Sequence, residues 1–355
     1  MDVNKVSPVY LDNASTTPVH EDVLKEMSPY FSEKFGNPSA ANFHATDPKN
    51  AIENARKNVG KLINSNSKNI IFNSGSTEGI NHVIKSSFFD GIQNGKNHLI
   101  ISSIEHKAVL EVAEYIETIG AKVTKIKVNS DGIIDLKHLS ESITEKTFLI
   151  CIMLVNNETG VIQPIKEVVS ISQEKNVSVF TDATQAVGKI QVDVNDLGVD
   201  YLCLSAHKFN GPKGIGALYL NKPNSLTPLL HGGSQENGQR GGTYNVPGIV
   251  GLGKASELVY DGFESKIAEN KKAKNEILKN IVGTDGIENF KDSPKVDNII
   301  SISLTEHEND EYLIKKSHKF SASTGSACNA EVIQDSHVLR SIPGIEPKKV
   351  IRISI

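Results

Sequence analysis

The sequence has few cysteines, no long apolar run and little net charge, and each shortage excludes a class of protein. Three cysteines in 355 residues cannot build a disulfide scaffold, and no CxxC pair or Cys/His cluster suggests a metal site. The longest apolar run covers residues 148–155, which is far too short to span a membrane. A net charge of −4 gives no reason to expect a surface that binds nucleic acid or anionic lipid.

The compartment and the number of domains follow from equally simple features. No apolar signal core follows the first charged residues, and the scarcity of cysteine agrees with a reducing environment. We therefore expect a cytoplasmic protein that works without a membrane. A chain of 355 residues favours two domains, or one large domain with a smaller companion.

Short β-rich runs alternate with helical patterns through most of the chain, which predicts an α/β fold. The predicted strands lie at 69–72, 98–102, 122–128, 148–155, 177–181, 201–205 and 215–220, with helices at 77–89, 107–119 and 164–175. We expect a large domain over residues 16–255, built on a doubly wound and mostly parallel sheet.

The pattern changes after about residue 256, where a Lys/Glu-rich helix is predicted at 264–280. Apolar and polar residues then alternate at 298–304 and 350–355, as they do in half-exposed strands. Residues 1–15 and 256–355 are therefore predicted to form a smaller α+β domain.

Small hydroxylic residues and glycine follow the first predicted strand of the large domain, at residues 73–79. Such a segment at the start of a helix can bind a phosphate through its backbone N–H groups. The same composition also serves as an ordinary N-cap and turn, so both interpretations remain open at this point.

Polar side chains follow several other predicted strands, and ligands of open α/β sheets bind at the carboxyl ends of the strands. A lysine in such a place can form a Schiff base with an aldehyde cofactor. An aspartate can pair with a pyridinium nitrogen, and a histidine can stack on the ring and move protons. These are the requirements of pyridoxal 5′-phosphate (PLP). The residues concerned are His106, Asn156, Asp182, Gln185, Ser205, His207 and Lys208.

Ten short motifs, in one order from residue 10 to the end of the chain, resemble those of the class I (NifS/IscS-like) cysteine desulfurases. These are PLP-dependent enzymes with the aspartate-aminotransferase type of fold. The motifs are YLDNASTT (10–17), GNPS (36–39), SGSTE (74–78), EH (105–106), NNETG (156–160), DATQ (182–185), SAHK (205–208), RGGTYN (240–245), GSAC (325–328) and IRIS (351–354).

The resemblance implies a role for each matching position. Lys208 is the implied Schiff-base lysine, Cys328 the nucleophile that takes up sulfur, and His106 a catalytic histidine that stacks on the cofactor ring. Asn156 and Arg352 would hold the substrate carboxylate. Thr243 would reach the phosphate of the other subunit, which implies a homodimer. The implied cofactor-binding residues are Ser76, Thr77, His106, Asn156, Asp182, Gln185, Ser205, His207, Lys208 and Thr243.

The three cysteines differ in their surroundings. Cys151 and Cys203 lie inside apolar predicted strands, where a cysteine behaves as a small buried hydrophobic residue. Cys328 follows the small residues 321–327, which predicts an accessible loop and a reactive thiol. Without the resemblance, a structural and a catalytic Cys328 are equally compatible with this pattern.

Three departures from the family pattern stand out. Asn42 occupies a place where many relatives have a histidine, with His44 two residues later, so the loop at the substrate entrance is expected to differ. Residues 232–236 read GGSQE where relatives commonly have GGGQE. Relatives also usually continue beyond the position of Ile355, so the small domain is expected to be short at its C-terminal end.

The implied activity is the conversion of L-cysteine to L-alanine, with sulfur passed to a cysteine persulfide and then to an acceptor protein. The acceptor could be an iron–sulfur cluster scaffold, a tRNA thiolation enzyme or a DNA sulfur-modification protein; no direct contact with nucleic acid is expected. Another PLP enzyme of this fold, either a selenocysteine lyase or an aminotransferase, is the first alternative. A non-catalytic assembly subunit is the second.

Overall fold

The structure, a computed structural model, describes residues 8–279, 283, 285–325 and 335–355. Twelve strands lie within this part of the chain. They are β1 (Val9–Tyr10), β2 (Ile70–Asn73), β3 (His98–Ser102), β4 (Lys122–Ile126), β5 (Thr147–Cys151), β6 (Ser178–Asp182), β7 (Tyr201–Ser205), β8 (Gly216–Leu220), β9 (Gly286–Glu288), β10 (Ile299–Leu304), β11 (Phe320–Ser321) and β12 (Val350–Ser354).

The α-helices of the same residues frame these strands. They are α1 (Glu21–Met27), α2 (Pro29–Ser32), α3 (Thr46–Leu62), α4 (Ser76–Gln93), α5 (Lys107–Glu117), α6 (Leu136–Ser142), α7 (Ile165–Gln173), α8 (Val194–Leu197), α9 (Val246–Asp261), α10 (Phe263–Ile277), α11 (Asn309–Lys316) and α12 (His337–Arg340). None of the helices in the described ranges is long and apolar enough to cross a membrane.

The large sheet has the strand order β2-β8-β7-β6-β5-β3-β4. Only β8 runs against its neighbours, so the other strands all end at one edge of the sheet. Strands β3 and β5 are buried along their whole length, because helices cover both faces. The predicted mostly parallel, doubly wound α/β sheet is confirmed.

Alternating side chains of the large sheet divide the core in two. Leu99 and Ile101 of β3 pack in one apolar cluster, whereas Ile100 between them packs in the other. This is the period of two that a strand imposes on a sheet with two covered faces. Cys151 and Cys203 belong to the first of these clusters and are fully buried, as predicted.

Helices α3 and α9 pack closely beside the large sheet because glycine removes a side chain at their contact. A Cβ atom on Gly253 would lie 2.5 Å from Ala55 Cβ, so this position accepts no larger residue without a shift. The predicted domain boundary at residue 255 falls inside α9, so the change in sequence pattern and the end of the helix do not coincide.

The chain ends in a second, antiparallel sheet with the order β12-β10-β9. Its own apolar cluster joins Leu11, near the start of the chain, to Ile277, Ile300, Ile302 and further residues up to Ile353. Strand β1 pairs with β11 in the same region. We therefore propose that both ends of the chain build the small domain.

Two predicted strands extend too far. The strand predicted at 148–155 ends at Cys151, and the one predicted at 122–128 ends at Ile126. Beyond Cys151 the chain still hydrogen-bonds to the end of β6, through Ile152 N to Phe180 O and Leu154 N to Asp182 O. It then turns into the loop at the edge of the sheet, so its apolar composition reflects burial there instead of regular pairing.

Candidate active site

The sheet topology collects the polar residues that follow the strands at one edge. A cavity of about 470 Å³ opens there. Because β8 runs in the opposite direction, the residues before it reach the same edge and bring Lys213 to the cavity. Nine of the predicted site residues line the cavity: Ser76, Thr77, His106, Asp182, Gln185, Ser205, His207, Lys208 and Arg352.

Lys208 reaches the cavity from a short turn, Ala206–Lys208, that directly follows β7. Its Nζ donates hydrogen bonds to the backbone oxygens of Ala14, at 2.6 Å, and Ser15, at 2.8 Å. The segment before α1 therefore passes over the edge of the sheet and holds the amine. A primary amine on a rigid strand end is the group that a Schiff base requires.

Asp182 is the last residue of β6 and is only 6% exposed. Its Oδ1 accepts a hydrogen bond from Thr184 N at 2.9 Å and another from the Thr184 hydroxyl. Cys203 Sγ lies 3.5 Å from the same oxygen. These contacts fix a buried carboxylate at the wall of the cavity. Burial, followed by the negative charge of Asp182, raises the pKa of the neighbouring Cys203 thiol well above its usual value.

His106 is the N-cap residue of α5, and its ring position is fixed by the helix. Its Nδ1 accepts a hydrogen bond from Ala108 N at 3.1 Å, so the neutral ring carries its proton on Nε2. Burial lowers the pKa of His106, and Lys208 lowers it further, whereas Asp182 raises it. The imidazole at the cavity is therefore neutral near pH 7 and can give or take a proton.

The residues at 73–79 run from the last residue of β2, through the N-cap Gly75, into the first turn of α4, which is 18 residues long. Gly75 has φ of +144°, and Ser76 N donates to Ser205 Oγ at 2.8 Å. The hydroxyls of Ser76, Thr184 and Ser205 contact one another in a row. Hydroxyls and the positive end of the α4 dipole meet here as an anion site, which supports the phosphate interpretation over that of a simple turn.

His207 and Lys213 add polar groups beside this anion site. His207 Nδ1 lies 3.1 Å from Thr16 Oγ1. Burial, followed by the positive charges of Lys208, Lys213 and Lys189, lowers the pKa of His207 to about 4, so the ring is neutral. The charge that suits a phosphate therefore comes from the lysines.

Gln185 contacts the same N-terminal segment as Lys208. Its Nε2 donates to Ala14 O at 2.8 Å, while its Oε1 is buried and has no hydrogen-bond partner among the described residues. Leaving such an acceptor unsatisfied costs about 1–3 kcal/mol, so the arrangement is suited to a hydrogen-bond donor beside it.

Arg352 comes from the middle of β12 in the second sheet and extends to the edge of the first. It is 2% exposed, and its guanidinium donates to Asp12 Oδ1 at 2.6 Å, Ser15 Oγ at 2.7 Å and Asn157 O at 3.0 Å. Its Nε is buried and has no partner in the described part of the chain. A carboxylate in the cavity could therefore add to the contacts of this guanidinium.

Asn156 does not line the cavity, in contrast to its predicted role. Its amide donates to Ile104 O at 3.0 Å and accepts hydrogen bonds from Glu158 N and Thr159 N at 2.9 Å. The side chain is fully buried because it closes the turn after β5. Its neighbour Asn157 lines the cavity instead. The Asn-Asn pair in the sequence could not show which residue faces inward.

Two predicted site residues are not placed at the cavity. Thr243 is exposed and lies outside the residues that line it; its predicted role concerns the site of another subunit, so it stays a prediction. Cys328 lies outside the described residues. Asn157, Lys213 and Thr184 line the cavity without having been singled out. For Thr184, the signal was present in its position between Asp182 and Gln185.

The donor set fits PLP and defines the class of protein. An amine, a buried carboxylate and an anion site at a helix N-terminus surround one cavity, and the Gln185 amide lines it too. Within the described ranges, no group of three or more His, Cys, Asp or Glu side chains could hold a metal ion. The fold and the site thus define a PLP-dependent enzyme of the aminotransferase fold type.

Comparison with known proteins names the family. The model of the aminotransferase class-V family matches residues 9–355. Cysteine desulfurase IscS of Dictyoglomus turgidum is 42% identical over 337 residues, which cover 94% of this chain and 85% of that protein. The chain belongs to the aminotransferase class-V family.

Solved structures of similar proteins have the same fold as this chain. A NifS-like protein superposes with a TM-score of 0.89 at 34% identity and covers 98% of this chain and 93% of its own. SspA in complex with cysteine superposes with a TM-score of 0.88 at 39% identity and covers 98% of both chains. The expected fold type is confirmed.

Proposed function

We propose that this protein is a PLP-dependent cysteine desulfurase, which converts L-cysteine to L-alanine and passes the sulfur to an acceptor. One observation carries the proposal: Lys208, Asp182 and the start of α4 surround the same cavity as Arg352. Relatives named cysteine desulfurase, at about 40% identity over nearly the whole chain, support the same activity.

The cofactor, when bound, supplies an aromatic ring that withdraws electrons from the substrate carbon atoms. In this chain, Lys208 would hold it as a Schiff base and Asp182 would keep the ring nitrogen protonated, because an opposite charge stabilises the charged form. Ser76, Thr77, Ser205 and His207 would hold its phosphate. Gln185 Nε2 carries two hydrogens and donates one to Ala14 O, so the second can serve the cofactor.

The substrate carboxylate would bind to Arg352, assisted by Asn157 in place of the predicted Asn156. A guanidinium matches a carboxylate with parallel hydrogen bonds, and Arg352 already holds Asn157 through its backbone oxygen. The substrate amine would then face Lys208. Neutral His106, with the proton on Nε2, can move protons near the substrate thiol.

Sulfur would leave through Cys328. Its thiolate attacks the substrate sulfur; a sulfur–sulfur bond forms, and the bond from sulfur to the substrate Cβ breaks. The electron pair of the broken bond stays with the carbon fragment, which takes up a proton and leaves as alanine. The cysteine and the enzyme thiol thus become alanine and a persulfide, without any external oxidant.

The alternatives make different products. An aminotransferase would need Lys208 and Asp182, would produce a keto acid and would have no use for Cys328. A selenocysteine lyase would prefer the selenium substrate, and a non-catalytic assembly subunit would not bind PLP at all. SspA in complex with cysteine has the same fold at 39% identity, which favours cysteine as the substrate here.

The homodimer and the cytoplasmic location predicted from the sequence are part of this proposal. So is a protein that accepts the sulfur: an iron–sulfur cluster scaffold, a tRNA thiolation enzyme or a DNA sulfur-modification protein. The name IscS of several relatives favours iron–sulfur cluster assembly among these.

Reduction of the PLP-loaded protein with borohydride tests the central contact. We expect the cofactor to be fixed to the peptide that contains Lys208, because Lys208 lines the same cavity as Asp182 and the start of α4. Lys213 lines the same cavity and serves as the internal control. A label on Lys213 or Lys189, or a protein that takes up no PLP, contradicts the proposal.

A further inference from the structure

Thr184 connects the buried carboxylate of the candidate site to its anion site. It lines the cavity and follows Asp182 in the turn after β6. Its backbone N–H and its hydroxyl both donate to Asp182 Oδ1, the backbone N–H at 2.9 Å. Its Oγ1 also lies 2.5 Å from the hydroxyl oxygen of Ser76, the first residue of α4. One side chain therefore contacts both parts of the site.

The contacts continue from Ser76 into the strand beside β6. Ser76 Oγ lies 2.9 Å from Ser205 Oγ, and Ser76 N donates to the same Ser205 oxygen at 2.8 Å. Ser205 is the last residue of β7, which pairs with β6. A continuous row of hydrogen bonds, the hydroxyl row, thus joins Asp182, Thr184, Ser76 and Ser205.

The hydroxyl row has a direction while Asp182 is ionised. A carboxylate can only accept hydrogen bonds, so the single hydroxyl hydrogen of Thr184 is directed to Asp182. Thr184 Oγ1 must then accept its second bond from Ser76. Ser205 Oγ accepts from Ser76 N, so the Ser205 hydroxyl hydrogen can serve either Ser76 Oγ or a phosphate. Bonds to a charged acceptor are strong, and bonds in a chain polarise one another, so the row supports the negative charge of Asp182.

Cys203 adds a further contact on the same oxygen of Asp182. The two residues are partners across β6 and β7, and Cys203 Sγ lies 3.5 Å from Asp182 Oδ1. The thiol keeps the hydrogen that it donates, because burial and then the charge of Asp182 raise its pKa. These donors all act on Oδ1, and within the described ranges none donates to Oδ2. Since Asp182 lines the cavity, Oδ2 is the oxygen that remains for a ligand.

We propose that Thr184 is a positioning residue, held by the hydroxyl row, that fixes Asp182 in the orientation in which Oδ2 can receive the ring nitrogen of the cofactor. This inference rests on the function proposed above and deepens it. It assigns to Thr184 no contact with the reacting atoms. A carboxylate that is already oriented loses little freedom when the ring nitrogen binds, so more of the interaction energy appears as affinity.

Substitutions at residue 184 separate the hydroxyl from the volume of the side chain. Thr184→Val keeps the shape and removes the hydroxyl, Thr184→Ala removes it with less bulk, and Thr184→Ser keeps it. Thr181→Val is the matched control, because Thr181 lies on the same strand as Asp182 and its hydroxyl donates to Ile152 O at 2.8 Å instead. A general disturbance of the end of β6 affects the control as well, whereas a loss of Asp182 orientation does not.

The experiment measures how two probes bind to the full-length apoprotein of each variant. One probe is PLP, and the other is its carbon analogue, in which a C–H group replaces the ring nitrogen while the aldehyde and the phosphate remain. Equilibrium titration followed by absorbance gives both affinities. Their ratio reports the contribution of the ring nitrogen, which a merely structural role of residue 184 would leave unchanged.

We expect Thr184→Val and Thr184→Ala to weaken PLP binding at least about tenfold and binding of the carbon analogue less than about threefold, because a bond to a charged acceptor is lost. Thr184→Ser should keep the PLP affinity within about threefold of the wild type, since the hydroxyl is retained. Thr181→Val should keep the wild-type ratio of the two affinities.

Equal losses for both probes in Thr184→Val and Thr184→Ala, or wild-type PLP affinity in both, would overturn the inference. So would a Thr184→Ser variant as weak as Thr184→Val, or the same change of the ratio in Thr181→Val. These results would leave the proposed function intact as long as the wild type takes up PLP and releases alanine from L-cysteine. A wild type that takes up no PLP contradicts the proposed function itself.

Discussion

Glu105 is a carboxyl group that the fold surrounds completely. Its Oε1 accepts hydrogen bonds from Ser102 Oγ at 2.6 Å and Met153 N at 2.9 Å, whereas its Oε2 is buried and has no partner in the described ranges. Burial raises the pKa of Glu105 to about 8, so the group is mostly neutral at pH 7. It joins the end of β3 to the segment just after β5, and it directly precedes His106.

This elevated pKa predicts a specific dependence of stability on pH. The pKa in the unfolded chain is about 4.3, so the neutral group stabilises the fold fully below that value and loses its effect as pH rises toward 8. Glu105→Gln keeps the acceptor oxygen and removes the titration. The free energy of unfolding of the variant relative to wild type should therefore increase between pH 5 and pH 8, by up to about 1.4 kcal/mol per pH unit.

Thermal unfolding at several pH values, with Glu111→Gln as an exposed control on the following helix, measures this difference. A difference between Glu105→Gln and wild type that stays constant from pH 5 to pH 8 would show that Glu105 is charged in the folded protein.

The start of α4 shows how one element builds a binding site from its backbone. Gly75 occupies the left-handed region, with φ of +144°, and a Cβ atom there would lie 3.3 Å from Ser205 Oγ. Glycine thus permits both the turn and the close approach of Ser205. The turn places Ser76 and Thr77, the first residues of α4, at the wall of the cavity.

Gly75→Ala should therefore weaken binding of PLP to the apoprotein at least about tenfold, which corresponds to about 1.4 kcal/mol. Gly95→Ala, just past the end of α4, is the matched control, since Gly95 has φ of +72° but open space around it. Equilibrium titration of both variants with PLP measures the effect. Equal affinities in the two variants would mean that the start of α4 does not hold the phosphate.

Elements that carry a strong local pattern could be predicted from the sequence. Strand β3 has its predicted bounds at residues 98–102, and β7 has its predicted bounds at 201–205, because each is a β-rich run between polar residues. Helix α9 carries no such pattern: it is buried on most sides and contains Gly251 and Gly253, which are unfavourable in isolated helices. Its stability comes from the close contact with α3.

The residues of the candidate site also divide into those that the sequence predicts and those that only the structure reveals. Residues at or just beyond the ends of parallel strands, such as Asp182 and Lys208, could be predicted because the carboxyl ends of those strands share one edge. Lys213 could not be predicted in the same way, because it reaches the cavity only as a result of β8 running in the opposite direction. The cavity is lined by Asn157 and not by the predicted Asn156 because of the turn after β5. The side chain of Asn156 hydrogen-bonds to the backbone of that turn, whereas Asn157 lines the cavity.

At the scale of the whole molecule, the two sheets meet at Arg352. Its strand belongs to the small sheet, while its guanidinium contacts Asp12 and the backbone of Asn157 at the edge of the large one. We infer that substrate binding at Arg352 involves both parts of the fold. The proposed homodimer adds a third contributor through the exposed Thr243.

Mixed dimers test whether Thr243 completes the site of the partner subunit. Lys208→Ala and Thr243→Ala should each lose activity alone, the first because the Schiff base cannot form. When the two variants are unfolded together and refolded, a mixed dimer contains one intact Lys208 site that receives Thr243 from the other chain. Random pairing should then restore activity to about a quarter of wild type. No recovery above the two separate variants would contradict a shared site.

Sulfur transfer to Cys328 is the central claim of this account, and mass spectrometry tests it most directly. Wild-type protein loaded with PLP and given L-cysteine should release alanine and carry one additional sulfur atom on the Cys328 peptide, removable by reductant. Cys151 and Cys203 should carry none, because both are fully buried. Cys328→Ser should still bind PLP and L-cysteine but should release almost no alanine. Full alanine production by Cys328→Ser would contradict the account and favour a lyase or an aminotransferase.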